Sequence, residues 1–300
     1  MKKINIALVA GLSALTLFTS CKKDDESPDI DTSSSELKLD ITGLQDLGEN
    51  FRYEGWIMVD GSPVSAGIFD VNSDGELSKA AFNLPSEQLS KATAYILTIE
   101  PAEDPDPAPS DVHILAGEFT ESTAAISVEH EAALGNDFLS SSGKYILATP
   151  TDGGSDTDEL SGVWWLDPTA GPGAGLNLPV LPKGWKYEGW AVINDQPVST
   201  GTFLSVTGAD DFSGFSGSDA PAPMFPGEDF LQNAPAGFSF PTNLSGGKVV
   251  ISIEPVPDNS PAPFVLKPLL GKVSPSATDH TPYVMDNMAT ETNPVGTVTR

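Results

Sequence analysis

Tyr53-Glu54-Gly55-Trp56, followed by Pro63-Val64-Ser65-Ala66-Gly67-Ile68-Phe69, decides the fold, because the chain contains this stretch twice. The second copy is Tyr187-Glu188-Gly189-Trp190, then Pro197-Val198-Ser199-Thr200-Gly201-Thr202-Phe203. Residues 51–69 and 185–203 align at an offset of 134 with nine identities in nineteen positions. A second block repeats as well. Ile99-Glu100-Pro101, Pro107-Ala108-Pro109 and Gly117 match Ile253-Glu254-Pro255, Pro261-Ala262-Pro263 and Gly271 at an offset of 154. The second copy therefore carries 20 extra residues (154 − 134) between the blocks. A period this long indicates duplicated domains and not a solenoid.

Side chains alternate within the quoted stretch. Phe51, Tyr53, Gly55, Ile57 and Val59 fall on one face of an extended strand; Arg52, Glu54, Trp56 and Met58 fall on the other. Asp60-Gly61-Ser62-Pro63 supplies turn chemistry, and Val64–Phe69 returns as the partner of a hairpin. Leu37–Ile41 precedes this hairpin as a half-buried strand, as Leu176–Leu181 precedes the second. Ala94–Ile99 and Val249–Ile253 are the strongest remaining strand signals, each ended by a proline that cannot donate to a ladder. Val112–Phe119 and Ala124–Val128 read as further strands. Lys144–Thr149 with Gly162–Leu166 reads as a hairpin closing the first module, mirrored by Tyr283–Met285 with Val295–Val298 in the second. The 28 glycines and 26 prolines, and the lack of a long 3.6-residue period, fit short strands joined by turns.

The 300 residues carry 42 acids against 15 bases, a formal charge of −27. Nucleic acid is excluded as a partner, because phosphate contacts need a basic face. A solvated acidic surface accounts for the charge. The single cysteine, Cys21, rules out an intrachain disulfide and a cysteine-built metal site.

Cys21 closes a leader. Met1-Lys2-Lys3 is a basic start, Ile4–Phe18 an apolar run too short to span a bilayer, and Thr19-Ser20 small residues before Cys21. Leu17-Phe18-Thr19-Ser20-Cys21 resembles a bacterial lipobox. The resemblance implies cleavage before Cys21 and its lipidation, which would hold the protein at a bilayer surface. Loss of the two leader lysines moves the charge to about −29 (−27 − 2). Lys22-Lys23-Asp24-Asp25-Glu26 resembles the acidic tether that takes some Gram-negative lipoproteins to the outer face of the outer membrane. Ser27–Glu36 reads as a flexible linker.

The two motifs together, with a glycine before the next strand, resemble the extracytoplasmic C-terminal domain of anti-sigma-K factors. That resemblance implies a small β-sandwich and an envelope location. The family's regulatory work belongs to a cytosolic helical segment, and no such segment precedes the leader here. The expected organisation is all-β: a signal peptide (1–20), a lipidated Cys21 with a tether (21–36), and two tandem immunoglobulin-like β-sandwich modules (37–168 and 175–300). The second module carries a long inserted loop, 204–248.

Chemistry-bearing patterns are few. Asp70-Val71-Asn72-Ser73-Asp74-Gly75 matches the front of a calcium loop, making Asp70, Asn72 and Asp74 candidate ligands. Ala81 stands where the bidentate Glu would be, and a turn capped by Asp and Asn side chains is the competing reading. Glu54 with Glu188 and Glu100 with Glu254 are equivalent positions of two copies, hence a domain apart, and not a glycosidase pair. Arg52 and Lys186, two residues before their Glu, suggest charge pairs within each module. Gly214-Phe215-Ser216-Gly217-Ser218 fails the nucleophile elbow. His113, His130 and His280 lack metal-ligand spacing. Trp164-Trp165 must face opposite ways on a strand, so one ring leaves its own core, either for a partner or glycan or to pack under the adjoining module. Phe225 and Phe230 in the inserted loop pose the same choice. The expected function is a non-enzymatic, lipid-anchored envelope protein that binds or scaffolds a protein partner, with a carbohydrate-binding accessory lipoprotein as the alternative. A part in envelope-stress sensing follows only from the family resemblance. No cofactor beyond the calcium candidate is expected.

Overall fold

The computed structural model describes residues 33–155, 157–258 and 260–300. The leader, Cys21 and the tether up to residue 32 lie outside the described residues. Residues 33–300 form one compact unit.

The first copy contributes β1 (Ser34–Thr42), β2 (Phe51–Val59), β3 (Ser62–Phe69) and β4 (Ala81–Pro85). The short helix α1 (Ser86–Lys91) leads into β5 (Ala92–Pro101), β6 (His113–Glu118) and β7 (Thr123–Ser127). Then come β8 (Ser142–Leu147), β9 (Gly162–Trp164), and the two-residue pieces β10 (Leu166–Asp167), β11 (Gly173–Ala174) and β12 (Leu176–Asn177). The second copy supplies β13 (Trp185–Ile193), β14 (Gln196–Phe203), β15 (Gly227–Asp229) and β16 (Lys248–Pro255). It ends with β17 (Leu269–Lys272), β18 (Tyr283–Asn287), the one-turn helix α2 (Ala289–Thr292) and β19 (Val295–Thr299). The all-β reading holds, and the strands expected from alternation form except Leu176–Leu181, of which only Leu176–Asn177 pairs. The two short helices were not anticipated.

The strands build two main antiparallel sheets. The first runs β3-β2-β5-β6-β7-β19-β1-β4; the second runs β14-β13-β16-β17-β18-β8-β9-β15, with β12 also on β8. The first sheet curls until its outer strands meet, with Phe82 of β4 beside Phe69 of β3 at 6.4 Å between ring centroids. One apolar cluster runs through both sheets, from Leu37 and Tyr53 to Trp165, Tyr187 and Val298. That continuity is why Ser33–Arg300 is one unit.

The pairing corrects the expected division at 168/175. β8 and β9 do pair as a hairpin, Ile146 opposite Trp164, but they lie in the second copy's sheet. β19 does not pair with β18. It lies in the first copy's sheet, between β7 and β1. The exchange is reciprocal and in register. In the first sheet Gly296 of β19 faces Ile41 of β1 and Ile126 of β7. In the second, Gly143 of β8 faces Leu176 of β12 and Met285 of β18. A Cβ at Gly296 would press on the backbone of Asp40 and Ile41, while one at Gly143 would meet the side chains of Leu269 and Met285. Copy one thus gives the β8–β9 hairpin to the second sheet and copy two gives β19 to the first, and neither copy is complete by itself.

Candidate functional site

The repeated motif comes first, because its side chains recur in matching surroundings. Tyr53 stacks on Phe69 and Tyr187 on Phe203, both at 5.6 Å. Their hydroxyls donate to Gln45 O (3.0 Å) and Pro179 O (2.7 Å). Glu54 accepts from the Ser65 hydroxyl and Glu188 from Ser199, joining the two strands of each hairpin. Trp56 Nε1 donates to Thr98 Oγ1 (2.9 Å), and Trp190 Nε1 to Ser252 Oγ (2.7 Å). Each hydroxyl passes a hydrogen bond on, Thr98 to Glu100 and Ser252 to Glu254. Those carboxylates then hold the turn after the strand, accepting from Ser110 N (2.9 Å) and Phe264 N (2.8 Å). The two duplicated blocks are therefore one hydrogen-bond relay. Trp56 and Trp190 are 4% and 2% exposed, so both rings are structural.

Gly55 and Gly189 sit at matching bulges and leave room for a ring. A Cβ at Gly55 would strike Tyr95; one at Gly189 would strike Trp165. Trp165 thus covers Gly189 of the other copy and is fully buried. Trp164 faces the opposite way and is also buried, donating from Nε1 to Asp229 Oδ1 at 2.7 Å. Neither ring faces solvent: Trp165 packs beneath the adjoining copy, and Trp164 lies under the insert. Phe230 is fully buried in an aromatic cluster with Phe215 and Phe240. Phe225 is half-buried against Trp164 and its neighbours. Of the four proposed contact residues, the fold brings Trp164 and Phe225 together at one surface.

The segment 204–247 builds that surface and covers the face of β13 and β14. It holds five acids, Asp210, Asp211, Asp219, Glu228 and Asp229, and no base. Asp229, which takes the Trp164 proton donor, also accepts from Thr151 N at 2.8 Å. Glu228 accepts from the Ser216 hydroxyl, and its Oε2 has no partner among the described residues. Burial, opposed by the Ser216 bond and reinforced by Asp210 and Asp229, pushes the Glu228 carboxyl up to about 8. Burial also raises Asp210 to about 7, although Gly227 N and Phe212 N donate to it. Asp229 is raised by burial too. Under the motif face, burial raises Glu188 to about 8 and Glu254 to about 7. Their Oε2 atoms also lack partners among the described residues.

Two hollows lie on either side of Phe212, whose ring is 39% exposed. One, about 300 Å³, has Trp164, Phe212 and Phe225 beside Asp210 and Ser216. The other, about 320 Å³, is an open apolar groove between Pro197-Val198-Ser199 and Phe212, Phe215 and Phe238. The sequence singled out Trp164 and Phe225 but not Asp210, Phe212, Glu228 or Asp229. Their signal was compositional, acids and aromatics gathered in one segment.

The expected charge pairs within each module are corrected. Lys186 does not pair with Glu188; its ammonium lies 3.1 Å from Asp211 and 3.0 Å from Thr202 Oγ1. Arg52 forms no ion pair among the described residues, and its Nε is buried without a partner. The insert explains the difference in copy two, since it brings Asp211 within reach of Lys186. The Asp70, Asn72 and Asp74 stretch is an Asx-capped turn. Asn72 Oδ1 accepts from Asp74 N (3.0 Å) and Glu76 N (2.9 Å), while its Nδ2 donates to Glu76 Oε2 (3.1 Å). Asn72 thus closes the turn through both ends of its amide. Among the described residues, no group of three or more His, Cys, Asp or Glu side chains is placed to hold a metal ion.

No protein-family model, no curated protein and no solved structure matches the chain.

Proposed function

We propose that the protein is a non-catalytic, lipid-anchored component of the bacterial cell envelope, and that its second copy recognises a protein partner through the 204–247 insert. One observation carries the recognition reading: the side chains shared by the two copies are consumed in the same structural relay, whereas the aromatic and acidic surface belongs to the unshared insert. The anchor rests on the leader and Cys21, and the likeness to anti-sigma-K extracytoplasmic domains agrees with an envelope address. A glycan-binding role is the second reading. It is favoured by the hollow in which Phe212 and Phe225 adjoin Asp210, since aromatic faces beside a carboxyl suit sugar.

Metabolic labelling with an alkynyl fatty acid tests the anchor: label should enter the wild-type chain and be absent from Cys21→Ser, which should leave the membrane fraction. Equal labelling of both would defeat it. Turnover of a glycan, ester or peptide library would defeat the non-catalytic reading. Binding on a glycan array that is lost in Phe225→Ala would favour the sugar reading over the protein partner.

A further inference from the structure

β15 differs in kind from the outer strand at the same end of the first sheet. That strand, β4, reads Ala-Phe-Asn-Leu-Pro, and its polar residue Asn83 is exposed. β15 reads Gly-Glu-Asp, and both acids are fully buried. Its three residues pair with Trp164, Val163 and Gly162 of β9. Beside that pairing lies a small apolar cluster of Ile146, Ala148, Trp164 and Leu166, with Phe225 against it, separate from the main core.

The two acids are unequally served. Asp229 is satisfied: Trp164 Nε1 donates to one oxygen, and Thr151 N and Oγ1 donate to the other. Glu228 has one bond, from Ser216 Oγ, and its Oε2 is buried without a partner among the described residues. Asp210 packs at the start of the strand, accepting from Gly227 N at 2.8 Å. The charges acting on this group are negative. Asp210 and Asp229 face Glu228, Asp152 faces Asp229, and Asp211 faces Asp210. Gly162, Val163 and Trp164 of β9 bring no charge. Lys186 of β13 is held by Asp211, and Lys144 of β8 by Asp167. An ionised Glu228 would thus sit out of water, short of a donor, with a carboxyl on either side. Moving it into water relieves that cost. The strand carrying it is three residues long and covers a satellite cluster, so it can part from β9 while the main core stays closed.

We propose that β15 is a pH-sensitive latch over Trp164, closed while Glu228 is protonated and parting from β9 as Glu228 and Asp210 ionise. The direction follows from linkage. The closed form holds protons that the open form gives up, so each pH unit above the ordinary carboxyl range weakens the latch by up to about tenfold per carboxyl. Burial sets the upper end of that window, about 8 for Glu228 and about 7 for Asp210. Opening also takes apart the hollow whose walls are Trp164 on one side and Asp210, Phe225 and Gly227 on the other, which ties any occupancy of that hollow to low pH. The latch does not depend on what the insert recognises.

The test is hydrogen exchange of the full-length chain in detergent micelles, read by mass spectrometry at pH 6 and pH 8 and corrected for the intrinsic exchange rate at each pH. Amides of residues 227–230 should lose at least tenfold protection between the two, while those of β2 and β5 change less than threefold. Glu228→Gln keeps an acceptor for Ser216 and cannot ionise, so its loss at 227–230 should shrink to less than threefold. Glu254→Gln, which removes a buried carboxyl outside the cluster, should behave as wild type. If Glu228→Gln does not fold, Asp210→Asn carries the test: it removes one of the two carboxyls beside Glu228 and should show a loss at least threefold smaller than wild type. Equal protection at pH 6 and pH 8 in the wild type overturns the proposal. So does an undiminished loss in the folded Glu228→Gln or Asp210→Asn chain, or a loss shared equally by β2 and β5, which would be global unfolding.

Discussion

Deleting Val295–Arg300 withdraws β19 from between β7 and β1, and the structure allows the loss to be sized. β19 pairs five residues with β1 and five with β7. At about one ladder hydrogen bond per pair that is roughly ten bonds, each worth about 0.5–1.5 kcal/mol net. Val298 leaves the core, and Arg300 gives up bonds to the carbonyls of Leu89, Ala92 and Glu121 and its place over the Phe119 ring. The sum, of order 5–15 kcal/mol, equals the whole stability of an ordinary domain. The first sheet should therefore open, while the second, whose sixth strand is β8, should persist. Hydrogen exchange read by mass spectrometry checks this directly. Amides of β1 and β7 should lose at least a thousandfold protection, those of β13 and β16 less than tenfold. A synthetic peptide of residues 295–300 added in excess should restore part of the loss. Undiminished protection of β1 and β7 in the truncated chain would refute the reasoning.

Three other outcomes follow from the second copy. Glu188, Glu228, Glu254 and Asp210 have carboxyls raised by burial, so between the ordinary carboxyl range and about 8 the folded chain holds protons that the unfolded chain has released. Stability must then fall as pH rises through that window, giving a higher melting temperature at pH 5 than at pH 9; a flat or rising profile would contradict it. Trp164→Phe deprives buried Asp229 of one donor while keeping an aromatic ring, and should cost about 1–3 kcal/mol in denaturant unfolding; a loss below about 0.5 kcal/mol would mean the bond contributes little. A photo-crosslinking side chain at position 212 should trap a discrete envelope adduct in cells, while one at position 68 should not; the reverse pattern would move recognition to the first copy.

The hairpins were legible because alternation and turn residues act locally. Tyr53 and Tyr187 point inward where period-two spacing puts them, and Gly55 and Gly189 sit where a ring must approach the backbone. The strand exchange was not legible by the same means. β8 and β19 read as strands, but nothing in Ser-Gly-Lys-Tyr or Val-Gly-Thr-Val names a partner, since ladder bonds come from backbone common to all residues. The equivalence of Gly143 and Gly296 shows only in the sheets, and a closing hairpin within each module is what sequence order suggests, because sequential strands usually neighbour one another. The insert was hidden for another reason. Nothing local marks Glu228 and Asp229 as interior residues, because acids are seldom fully buried unless paired. Here Ser216, Thr151 and Trp164, distant in sequence, provide the hydrogen bonds.

A protease site placed in the Thr169-Ala170-Gly171-Pro172 turn, between the copies, tests the interlocked duplication most directly. After complete cleavage, size-exclusion chromatography with light scattering should show one species with the mass of the uncut chain, separating into two fragments only in denaturant. Two fragments that part under native conditions, each keeping a cooperative melt, would mean that the copies are independent domains and that the reciprocal exchange of β8 and β19 is wrong.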